Sequence, residues 1–192
     1  MKYFIVLIMF ILSVSCSSKK CKLASFSAFT HYQINQADEV IIGTDKLPRF
    51  NVYDNPNGKV IFNLPPDQES GWGINIVDEN ENYFKIYNIW RRESKSMYYW
   101  ENDWMPKFEY VWIEKGSVGI NTSNYDGEII EIHKKPNNKS KIVGYINAVQ
   151  TVRVFDICGD WAFIEVVNKE GEKVTGWMSP KFQCANPLST CP

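Results

Sequence analysis

Residues 159–177 read GDWAFIEVVNKEGEKVTGW: a polar turn opening on a tryptophan, an alternating apolar run, a second polar turn and a closing Gly-Trp pair. Ala162, Ile164 and Val166 fall at period-two positions, the spacing of a strand that turns one side inward and leaves the other to water. The stretch reads as a β-hairpin. Trp161 and Trp177 supply large apolar area to the core or rim of a small barrel with few residues to draw on.

Working outward, the same pattern appears twice. Residues 50–61 (FNVYDNPNGKVI) line up with 130–143 (IEIHKKPNNKSKIV), each a short alternating strand running into a Pro-Asn turn. Residues 73–86 (GINIVDENENYFKI) match 149–164 (VQTVRVFDICGDWAFI), with Tyr83 and Trp161 as equivalents that open the next strand. Residues 111–115 (VWIEK) match 176–180 (GWMSP). Gly, Pro and Asn punctuate the chain, aromatic and β-branched residues are plentiful, and no long helical period is present, which predicts an all-β protein.

The proline-containing loop at Pro136, the Gly159-Asp160-Trp161 turn and the closing Gly176-Trp177 strand resemble the bacterial SH3-like (SH3b) domains, here as a tandem over residues 48–183. The first copy departs from that pattern, with Asn82-Tyr83 and Val111-Trp112. The tail QCANPLSTCP is similar to the endings of SH3b lipoproteins of Bacteroidetes-type bacteria. The resemblance implies two small barrels, each with its own core, and a role in the cell envelope.

At the N-terminus, MKYFIVLIMFILSVS has a lysine, an apolar run and small residues, the layout of a secretory signal. Cys16 follows, and Leu12 to Cys16 resembles a lipoprotein signal, although Ser13 stands where leucine is usual. The expected divisions are 1–15 signal peptide, 16–39 lipid-anchored tether and N-terminal segment, 40–120 first SH3-like domain and 121–192 second. Phe26, Phe29, Tyr32 and Ile34 read as packing part of the N-terminal segment on a barrel, and Val40-Ile41-Ile42 as a strand. The net charge of -1 gives no support to nucleic-acid binding, which calls for a basic surface.

Export makes disulfides possible. Of the four cysteines other than Cys16, Cys184 and Cys191 flank an Asn-Pro turn and are the expected pair. Cys158 is a rival partner for either, and Cys21, on the stub, is expected to stay free.

Tyr83 and Trp112 stand 29 residues apart, Trp161 and Trp177 only 16, so the first copy carries an insertion. It is rich in aromatic residues. Phe84, Ile86, Trp90, Phe108, Tyr110 and Trp112 read as packing against the second copy. Trp90, Tyr98, Tyr99, Trp100 and Trp104 are the candidate ligand-binding residues, because Trp, Tyr and Arg anchor interfaces, with Arg91 and Arg92 to pair with a peptide carboxylate.

No catalytic constellation emerges. The two histidines, His31 and His133, lie in no peptidase motif, and Cys158 reads as a disulfide or buried thiol rather than a partner for His133. Asp78-Glu79-Asn80-Glu81 lacks the glycine and spacing of a calcium loop and reads as a solvated turn. No metal or cofactor is expected. The sequence thus predicts a non-catalytic envelope protein that binds cell-wall peptides, touching the membrane only through its lipid. The alternative is an inhibitor or scaffold that docks on another envelope protein.

Overall fold

The computed structural model describes residues 21, 23, 25–30, 50–64, 72–91, 110–167 and 171–185, with only the backbone at 90 and 91. Among them are thirteen strands and one short 3-10 turn, Pro180–Phe182. The strands are β1 Phe26–Thr30, β2 Phe50–Tyr53, β3 Val60–Leu64, β4 Trp72–Glu79, β5 Tyr83–Arg91, β6 Val111–Glu114 and β7 Val118–Thr122. They continue as β8 Ile130–His133, β9 Ile142–Ile146, β10 Thr151–Cys158, β11 Trp161–Val167, β12 Lys173–Met178 and β13 Gln183–Cys184. The fold is all-β, as the punctuation and alternation predict.

All thirteen strands join one antiparallel sheet in the order β3-β2-β6-β5-β4-β1-β7-β10-β11-β12-β8-β9, with β13 paired to β7. Read outward from the middle, β1-β4-β5-β6-β2-β3 and β7-β10-β11-β12-β8-β9 are the same six-strand unit, numbered first, fourth, fifth, sixth, second, third. The two units meet where β1 pairs β7 at Phe29 and Gly119. The hydrogen-bonded ladder therefore runs unbroken from one unit into the other. The expected division at 120/121 falls inside β7.

The repeat extends to details that a sequence alignment cannot show. Both β2 and β8 bury their first, third and fourth residues: Phe50, Val52 and Tyr53 in one, Ile130, Ile132 and His133 in the other. Their pairings shift register at the same place, after Val52 and after Ile132. The long hairpins do likewise, between Ile76 and Asp78 on β4 and between Val154 and Asp156 on β10. Such bulges bend and twist a sheet, so repeating them bends both units in the same places. Tyr83 and Trp161 are spatial equivalents as expected. Tyr83 meets Tyr53 edge-on at 5.4 Å, and Trp161 meets His133 edge-on at 5.6 Å.

The closing Gly-Trp pair has a packing reason. A Cβ on Gly176 would lie 2.6 Å from Ile132 Cγ2 and 2.9 Å from the His133 carbonyl oxygen, so β12 approaches β8 only because that side chain is missing.

Phe26 and Phe29 pack as expected, both buried in β1, while Tyr32 and Ile34 lie outside the described residues. The core differs from expectation. Instead of one core per unit, the buried side chains form one contiguous cluster, from Phe84 and Ile113 through Ala28, Val118 and Ile120 to Ile132 and Ile164. The cause lies in β1 and β7, which stand side by side at mid-sheet and bury apolar residues from both units together. Each Ile or Phe so enclosed contributes about 1.5–3 kcal/mol.

The cysteine expectations need correction. Cys158 is bonded to Cys21, with Cα atoms 4.9 Å apart, and so is not a partner of Cys184 or Cys191; Cys21 is not free. The sequence could not show this because 137 residues separate the two, and it is the sheet that brings the stub against the β10–β11 turn. Cys184 is also disulfide-bonded. Cys191, its expected partner, lies outside the described residues, as do Cys16 and the predicted strand at 40–42.

Candidate binding surface

Of the predicted ligand residues, Arg92, Tyr98, Tyr99, Trp100 and Trp104 lie outside the described residues, and Trp90 and Arg91 are described as β5 backbone only. What the structure shows is the root of the insertion. There residues 84–87 of β5 and 110–113 alternate between core and outer face, before a register shift at Tyr87 lets Ile89 turn inward as well. Phe84, Ile86, Val111 and Ile113 point into the core, so Lys85, Tyr87, Tyr110 and Trp112 take the outer face.

Register places Lys85 directly across from Trp112, and Ile86 across from Val111, which sets Tyr87 beside Tyr110. The four make a two-by-two block. The Tyr87 and Tyr110 rings are 6.1 Å apart, and Lys85 Nζ lies 4.0 Å from the centre of the Tyr110 ring and 5.9 Å from that of Trp112. A cation over aromatic faces at such distances is attracted by the ring quadrupole. Tyr87 is 63% exposed, a large aromatic left in water. Of the residues expected to pack against the second unit, Phe84 and Ile86 lie in the core cluster that both units share. For Tyr110 and Trp112 the expectation is corrected, since they lie on an outer face beside Tyr87 and Lys85 of their own unit. Phe108 and the Trp90 side chain lie outside the described residues. Lys85 and Tyr87 were missed, although their parity against Phe84 and Ile86 marks them as outward-facing.

The second unit bears a different opening. A cleft of about 570 Å³ lies between β9 and the far end of the β11–β12 hairpin, with Val143, Tyr145, Asn147, Gln150, Val167 and Val174 on its walls.

Between the units sits a cluster of ionisable groups. Lys115, in the turn joining β6 to β7, places Nζ 2.9 Å from Glu79 Oε2 on β4 and 3.1 Å from Asp156 Oδ1 on β10. Its side chain is 12% exposed. The turn is also held by backbone bonds to each unit: Lys115 N–H donates to the Asn82 carbonyl and Gly116 N–H to that of Val154. Glu79 is therefore not part of a solvated turn. Burial, foremost, raises its pKa to about 7; Asp156 adds to the rise and Lys115 opposes it. The Lys115 contact is an ion pair off the line of a hydrogen bond, and Oε2 accepts none.

His133 is buried in β8, with Nδ1 3.3 Å from the Ser140 carbonyl oxygen and its ring edge-on to Trp161. With the sulfur of Cys158 bonded to Cys21, the pair Cys158 and His133 has no thiol. No group of three or more His, Cys, Asp or Glu side chains suited to a metal occurs among the described residues.

No family model and no curated protein matches the chain. Among solved structures it is similar to NlpC2 and NlpC1 from Trichomonas vaginalis, at 16% identity and TM-scores of 0.27 and 0.29. The matches cover 83% and 92% of this chain but 48% and 50% of those proteins, so the chain spans about half their length.

Proposed function

We propose that the chain is a non-catalytic binding module of the bacterial cell envelope, a pair of SH3-like barrels anchored through a lipid on Cys16, that recognises peptidoglycan peptides. The observation that carries it is the outward-facing block of Lys85, Tyr87, Tyr110 and Trp112, in which Tyr87 is exposed and the other three are half-buried. Aromatic faces in water are costly unless used. Rings supply apolar contact to a peptide, and the lysine supplies a partner for its carboxylate. The block stands at the root of the insertion, and in this reading Trp90, Arg91, Arg92, Tyr98, Tyr99, Trp100 and Trp104 remain the sequence's candidates for the same ligand. The duplicated strand order supports the tandem of barrels.

The test is co-sedimentation of the purified protein with cell-wall sacculi, for the wild type and for Tyr87→Ala/Tyr110→Ala. The wild type is expected in the pellet. The double variant should bind at least about tenfold more weakly, since losing one aromatic anchor costs roughly 1.4 kcal/mol or more. Its melting temperature should stay within a few degrees of wild type. A wild type that remains in the supernatant while retaining an envelope protein from a membrane extract would replace this function with that of an inhibitor or scaffold. Equal pelleting of the two proteins would remove the block from the site.

A further inference from the structure

We propose that the cleft beside β9 is a second binding site, which takes an extended all-L polypeptide segment as an added strand. Among the described residues β9 pairs with β8 alone and stands at the end of the ladder. Its other side faces the 570 Å³ cleft, where Val174 of β12 reaches in against Gly144, and among the described residues no strand is hydrogen-bonded to it there. In an antiparallel pair the backbone groups of successive residues point alternately toward and away from the partner, so about half of those on β9 are directed to the cleft side. They recur about every 7 Å, two residues apart. Another extended backbone matches that row; a sugar ring or a small anion does not.

The side chains fit the same occupant. Val143 is 38% exposed, Tyr145 60% and Val167 42%, apolar surface that a strand laid along the cleft would cover. Ile142–Ile146 contains neither a charge nor a proline, the devices that usually keep an exposed edge from pairing. Five residues extend about 16 Å, so a segment of five to seven residues fills the edge. Main-chain bonds would supply affinity, and alternate side chains facing Val167 and Val174 the selectivity. A wall stem peptide that alternates L and D centres cannot keep the one-handed pleat of a strand. The occupant is thus a protein segment, and the site lies on the unit opposite the aromatic block.

The experiment titrates isotopically labelled full chain with a capped heptapeptide of alternating Thr and Val, and with the same peptide N-methylated at every second amide. The expected result is shifted and exchange-protected amides confined to β9 and the cleft walls, with the N-methylated peptide at least about tenfold weaker. Val143→Lys should weaken binding about tenfold at unchanged melting temperature, and Tyr145→Lys gives a second variant should the first unfold. Equal binding of the two peptides would overturn the inference. So would shifts that fall on the β5–β6 block, a cell-wall stem peptide that perturbs β9 as strongly, or β9 amides unmoved at millimolar peptide.

Discussion

Replacing Glu79 by Gln should abolish a pH dependence of stability that the wild type shows. In the unfolded chain this carboxyl ionises near its ordinary 4.5; in the folded protein burial chiefly raises that to about 7. The folded state therefore holds the proton more tightly. Below pH 4.5 both states are protonated and the contribution to stability is present in full. As pH rises toward 7 the unfolded state ionises first, and the contribution is lost by the time the folded carboxyl has also ionised, beside Asp156. A shift of this size corresponds to about 3 kcal/mol, at 1.36 kcal/mol per pH unit. The side chain is 22% exposed, and solvent screening lowers the figure to about 1–2 kcal/mol. Urea unfolding followed by tryptophan fluorescence at pH 5, 6, 7 and 8 reads it out. Groups common to both proteins cancel in the difference, so the wild type should lose about 1–2 kcal/mol more than E79Q between pH 5 and 8. Parallel curves for the two proteins would refute the reasoning.

Two further sets of substitutions test the contacts that join the units. Gly116 has φ +81°, and a Cβ there would sit 2.5 Å from Phe155 Cε1; Gly116→Ala should therefore destabilise by about 1–3 kcal/mol in urea unfolding, and Phe155→Leu in the same chain should recover the steric part. Cys21→Ser opens a cross-link between residues 137 apart and should cost about 2–5 kcal/mol, with Cys158→Ser costing the same and the double variant no more, since all three lose one bond.

Period and punctuation made the strands legible. Val152, Val154, Ala162, Ile164 and Val166 alternate in the sequence, and all five are buried. The internal repeat was legible for the same reason, because Tyr53 and His133 stand three residues before matching Pro-Asn turns, and Tyr83 and Trp161 each open the strand after a polar turn. What lay beyond the sequence was long-range. Nothing local distinguishes Glu79 from its acidic neighbours; it is set apart by a lysine 36 residues on and an aspartate 77 residues on, which only the sheet brings to it. Cys21 is a comparable case. The aromatic site was half legible: composition drew attention to the insertion, while the two outward residues before it, Lys85 and Tyr87, needed a strand parity that the buried Phe84 and Ile86 fix.

Duplication would ordinarily give two beads on a flexible string, and here the connection prevents it. The chain crosses between units through a single turn, so one lysine serves an acid from each side, and the flanking amides bind Asn82 in one unit and Val154 in the other. The joint is not symmetric. Asp78 and Asp156 are equivalents just past matching bulges, yet it is Glu79, the next residue, that reaches Lys115 from the first unit, because the turn has no counterpart in the repeat. With β1 paired to β7 and one core cluster running beneath both, the block on β5–β6 and the cleft at β9 are held in one frame. A partner that presented both an aromatic-binding group and an extended strand at the matching separation would meet the second surface at high effective concentration, with no linker to order first.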